Sequence, residues 1–144
     1  MGVTAGFILV SRDRFSRLRA GHAEDESGPM VLFDIDKSWF FFREVFESFG
    51  EPLDKVFEGD FLPHGVWGLA GGEGHQGYIS PELSRAIGEA LVYIEPEDVF
   101  ARAAELGTPL DPDRQRFLRD LFFEIKIGFR IAARCHGGLA VLIG

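Results

Sequence analysis

Two carboxylates, Asp34 and Asp36, stand two residues apart directly after the apolar run Met30-Val31-Leu32, inside the stretch Phe33-Asp34-Ile35-Asp36-Lys37-Ser38-Trp39. Two carboxylates so spaced after a strand raise the question of a site for a divalent ion, bound through oxygen ligands and serving phosphoryl transfer. Such a centre also needs further carboxylates for the metal and a lysine for the phosphate. The later Gly59-Asp60 has no second aspartate near it. Asp-x-Asp alone is a weak pattern, and no bound metal is expected here.

The pattern is similar to the nucleophile motif of haloacid-dehalogenase-type phosphatases, but 144 residues are few for that fold. The same stretch reads better as the start of a helix. Asp34 or Asp36 would accept hydrogen bonds from the open amides of the first turn, where negative charge also suits the helix dipole. At about 100° per residue, Trp39, Phe42, Val45, Phe46 and Phe49 then share one side and Arg43, Glu44 and Glu47 the other. Phe40 breaks the pattern by projecting among the charges, so exposure is expected for it.

The remaining reactive residue types do not assemble into a centre. His22, His64, His75 and His136 lack metal-ligand spacing, and Cys135 and His136, adjacent on a helix, would diverge by about 100°. Cys135 is expected to be a small core residue in helical phase with Phe117 and Leu121. The glycine-rich Gly68-Leu69-Ala70-Gly71-Gly72-Glu73-Gly74-His75-Gln76-Gly77-Tyr78 lacks the Gly-Lys-Ser/Thr ending of a phosphate loop. No serine sits in a nucleophile elbow, and no cysteine or serine has an evident base. No catalytic residue and no cofactor is expected.

The elements that would position these residues are well punctuated. Gly6 to Val10 and Leu139 to Ile143 are short apolar runs bounded by glycine, expected as strands of one sheet covered on both faces. Ser11 can cap a short helix carrying Phe15 and Leu18, and residues 21–29 read as an acidic loop around Glu24, Asp25 and Glu26. The glycine-rich segment 59–77 predicts a long irregular connection. Ser80-Pro81, Glu95-Pro96 and Asp111-Pro112 each open a helix, and Gly137-Gly138 ends the last. That last helix has one broad apolar face, Phe117, Leu118, Leu121, Phe122, Ile125, Phe129 and Ala132. It also has a second stripe, Phe123, Ile127 and Ile131. Either the helix is central or the stripe is a dimer seam; the central position is expected, giving a monomer or at most a weak homodimer.

The chain fits a single α+β domain spanning residues 1–144, with a small sheet that includes both terminal strands packed by several helices. Fifteen phenylalanines against two tyrosines point to an unusually aromatic core. A net charge of −8 repels phosphate backbones and argues against nucleic acid, while it would attract a basic protein. One cysteine allows no internal disulfide and suits a reducing compartment. No apolar run approaches a membrane span, so no membrane partner and a cytoplasmic location are expected.

Three segments together carry a resemblance. Asp34-Ile35-Asp36-Lys37-Ser38-Trp39 opens a Phe-rich helix, Tyr78-Ile79-Ser80-Pro81 leads from a Gly-rich stretch into another, and a terminal helix closes on Gly137-Gly138-Leu139-Ala140-Val141. This arrangement resembles the YfbM-like family of small bacterial proteins of unknown function. The resemblance implies an α+β fold and supplies no reaction, cofactor or catalytic residue. The bulky Trp39-Phe40-Phe41-Phe42 run departs from the family pattern.

Two functional classes follow. One is a protein-binding or regulatory module, immunity-like, that meets a basic partner through an acidic surface with Phe40 exposed. The other is a small-ligand binder or enzyme whose cleft gathers Asp34, Asp36, Lys37, His64, Trp67, His75 and Tyr78 near the glycine-rich loop 59–77. The missing catalytic constellation favours binding over catalysis.

Overall fold

The computed structural model describes residues 4–21, 31–35, 38–61 and 75–143. Its elements follow the order β1 (Ala5–Val10), α1 (Arg12–Arg19), β2 (Val31–Asp34), α2 (Trp39–Phe49), a 3-10 turn (Leu53–Lys55), β3 (His75–Ile79), α3 (Pro81–Val92), α4 (Pro96–Glu105), α5 (Pro112–Arg134) and β4 (Gly138–Ile143). The four strands form one antiparallel sheet in the order β2-β1-β4-β3. The two apolar runs at opposite ends of the chain are thus neighbours at its centre, with Ala5 opposite Ile143 and Val10 opposite Gly138.

Alternation along the strands divides the core in two. Ala5, Phe7, Leu139 and Val141 face the layer of α2 to α5 and join a cluster with Phe42, Phe46, Ile87, Leu118, Phe122 and Phe129. Val10, Tyr78 and Ala140 face the other way, toward Phe15 and Leu18 of α1. Both faces of the sheet are covered, as the apolar runs require. Phe7 and Phe33 stack across β1 and β2 at 4.4 Å. Gly128 lets α5 lie directly on Phe33, since a Cβ there would overlap that ring.

Local chemistry sets the helix starts. The side chains of Ser11, Ser80 and Asp111 accept bonds from Arg14, Leu83 and Arg114 amides, and Glu95 and Asp98 form a reciprocal capping box. Arg19 of α1 donates to Glu82 of α3 at 2.7 Å, and this hydrogen-bonded pairing lowers the Glu82 pKa to about 2.

Several expectations are corrected. Asp34 does not cap α2: it ends β2 opposite Gly6, and the N-cap position belongs to Ser38, whose amide donates to Ile35. Asp36 lies outside the described residues, as does the acidic loop apart from Gly21. The last helix is not covered on both sides. Phe123, Ile127 and Ile131 are exposed, Ile127 by 54%, whereas Leu118, Phe122, Ile125 and Phe129 of the same helix are buried in the main core cluster among the described residues. Phe117, assigned to the broad face, is 49% exposed near the start of the helix. Cys135 is exposed at the C-cap instead of buried, between exposed Arg134 and His136. The connection predicted across 59–77 gives way at its end to β3.

Candidate functional site

The first turns of α2 and the segment before the glycine-rich loop together build a cleft of about 530 Å³. Trp39, Phe57 and Phe61 form its apolar walls, and Arg43, Glu58 and Asp60 bring charge to it. Trp39 is buried because its helical phase points it at the core, where it meets Phe57 at 6.1 Å. One residue further, Phe40 points outward: it is 58% exposed, with its ring 4.5 Å from that of Trp39. Phe40, Glu44 and Glu47 follow one another at helical spacings of four and three, so an exposed aromatic leads a row of two carboxylates. Arg43 donates from Nε to Glu47 at 3.0 Å and lies 6.0 Å from the Trp39 ring centre.

The lower wall is fixed by hydrogen bonds to the sheet. Gly59 turns the chain with φ +73°, its Cα pressed against the Tyr78 backbone, and Asp60 and Phe61 amides donate to the Tyr78 carbonyl. Asp60 then accepts from the Ser80 amide at 2.7 Å and the Ser80 hydroxyl at 2.6 Å, while that hydroxyl accepts from Leu83. Both Asp60 carboxylate oxygens are therefore engaged in holding the start of α3. Replacing Asp60 by alanine is expected to cost about 1–3 kcal/mol, the range for charged hydrogen bonds that leave a partner unsatisfied. Urea unfolding monitored by circular dichroism measures it, and an unchanged midpoint would contradict the arrangement.

The residues anticipated as a site do not all gather here. Asp34 is exposed and lines a separate groove of about 270 Å³ with Phe33, Glu124, Ile127, Gly128 and Ile131. Tyr78 is fully buried against Phe15 on the α1 side of the sheet, so its ring is core and not ligand surface. His75 takes its place in β3 opposite Ile143. Asp36, Lys37, His64 and Trp67 lie outside the described residues. Arg43, Phe57, Glu58 and Phe61 were not anticipated. The one hint was Gly59-Asp60, a turn dipeptide ahead of the Ser80-Pro81 cap. Among the described residues no group of three or more His, Cys, Asp or Glu is placed to hold a metal ion, and no helix is long and apolar enough to cross a membrane.

Against solved structures, the chain matches YfbM from Escherichia coli, a protein of unknown function, with a TM-score of 0.58 over 97% of this chain and 98% of that one. The fold is YfbM-like. Identity between the two is 15%, so the likeness concerns fold and says nothing of chemistry. No family model and no curated protein matches the sequence.

Proposed function

We propose that this YfbM-like protein is a protein-binding module, regulatory or immunity-like in kind, that engages a basic partner through Phe40 and the acidic row beside it. The observation that carries the reading is the 58% exposure of Phe40 next to Trp39. A large apolar ring left in water beside Glu44 and Glu47 has the composition of an interface anchor with a charged rim. The net charge of −8 supplies long-range attraction for a basic surface. The exposed lone thiol of Cys135 suits a reducing, cytoplasmic setting.

Capture from the source cell on immobilised protein tests this. A basic protein should be retained, be released by salt, and bind Phe40→Ala about tenfold more weakly, as loss of an anchor side chain does. Phe117→Ala, which removes a ring about half exposed elsewhere, should bind as the parent does. Equal retention on Phe40→Ala would refute the assignment.

A small organic ligand in the adjoining cleft is the second reading, favoured by a volume within the usual range for such sites. It predicts that Arg43→Ala abolishes thermal stabilisation by that ligand while protein capture is unaffected.

A further inference from the structure

The exposed stripe on α5 has a property that neither of those readings uses. Asp120, Ile127 and Arg134 form a row spaced by seven residues, with Phe123 four positions before Ile127 and Ile131 four after it. All five are exposed. At about 100° per residue, Asp120, Ile127 and Arg134 lie within about 20° of one line, and Phe123 and Ile131 flank it at about 40° on either side. The row is therefore acidic at one end, apolar in the middle and basic at the other. Asp120 and Arg134 join no ion pair among the described residues, as is true of several other exposed arginines such as Arg116 and Arg130.

From this we infer that α5 is the seam of a homodimer, with the helices of two copies packed antiparallel about a two-fold axis through Ile127. Reversal of the row brings Ile127 onto its own counterpart, sets Phe123 beside the partner's Ile131, and places Asp120 level with the partner's Arg134 at both ends. An isologous contact requires this self-complementarity, in which each patch meets a reversed copy of itself. Parallel packing would instead oppose like charges at each end. The sevenfold spacing suits helices inclined by about 20°, as in antiparallel bundles. Glu124 and Arg130 stay on opposite flanks at the solvent rim. The groove between α3 and α5 has Leu91, Val92, Phe123 and Ile127 beside the charged Arg85, Glu89, Lys126 and Arg130; it adjoins the same patch and leaves room for the partner's side chains.

Sedimentation velocity over a concentration series, with charge-swapped variants, decides. The parent should dimerise, and Ile127→Glu should sediment as a monomer while keeping the parent's far-UV circular dichroism spectrum and losing the concentration dependence of its denaturation midpoint. Asp120→Arg alone opposes two arginines at each end and should weaken the dimer about tenfold or more. The double variant Asp120→Arg, Arg134→Asp should restore association to within about threefold of the parent. A parent that stays monomeric throughout, a dimer that survives Ile127→Glu, or a double variant no better than the single would each overturn the inference.

Discussion

Phe122→Ala is expected to lower stability by about 3–5 kcal/mol, a large share of what a domain of this size possesses. Phe122 is fully buried and joins α5 to α2: its ring stacks with Phe42 at 6.4 Å and tilts against Phe46 at 6.3 Å. Lys126 Nζ lies 5.2 Å from the same ring while donating to the Ile94 carbonyl at 2.6 Å. Truncation leaves a cavity that these rings cannot close, since each is held by other aromatic neighbours. Because α2 carries Trp39, Phe40 and Arg43, the cleft should loosen as well. Phe117→Ala is the control. The sequence places both phenylalanines on one helical face, but Phe117 is half exposed, so its loss is expected to stay within about 0.5 kcal/mol. Guanidinium unfolding of the two variants should give sharply different midpoints, and similar ones would show that the two sides of α5 are not distinguished as described.

The second large effect is expected at Gly59. A side chain there meets two penalties. The φ of +73° costs a non-glycine residue about 1–2 kcal/mol, and the new Cβ would overlap the Tyr78 carbonyl, which is backbone in a paired strand and cannot rotate away. Overpacking of this kind adds about 1–3 kcal/mol, so Gly59→Ala should cost about 2–5 kcal/mol in total. Gly107 provides the comparison, having φ +88° and nothing within 4 Å of the place a Cβ would occupy. Gly107→Ala should therefore show only the backbone penalty. The difference between the two variants in thermal or denaturant unfolding isolates the overlap with β3, and equal losses would show that no such contact exists.

Legibility of the fold followed the range of the interactions. Ser11, Ser80 and Asp111 were readable as caps because each bonds an amide three residues away. The glycine-bounded runs were readable as strands of one sheet. The inward set on α2 was readable because helical phase alone decides which of Trp39, Phe42, Val45 and Phe46 face together. Phase gives an angle, however, and not what lies at that angle. On α5 it gave two apolar stripes but could not say that one would stay exposed, nor that Phe117 on the other would be half exposed too. The same limit placed Cys135 in the core, although it stands at the exposed end of its helix. The cleft was hidden for a further reason: Asp60 finds Ser80 twenty residues away, across the glycine-rich segment, and no local pattern encodes that meeting. Asp34 was misread because its charge fits a cap as well as it fits the exposed end of an edge strand.

The central place of β1 and β4 in the sheet governs the order in which the protein can be assembled on the ribosome. β1 finds β2 early, but its other edge waits for β4, which follows every helix in the order of synthesis, on the order of ten seconds later at ordinary translation rates. Until then the edge of β1 that pairs with β4 is open to any passing strand. Pairing β1 with β4 closes a loop of nearly the whole chain, so the step that completes the sheet is also the most non-local one and sets a slow folding rate. The nascent chain thus carries its greatest aggregation hazard in the interval before β4 emerges, and a holding chaperone that covers β1 would act on the feature that needs it.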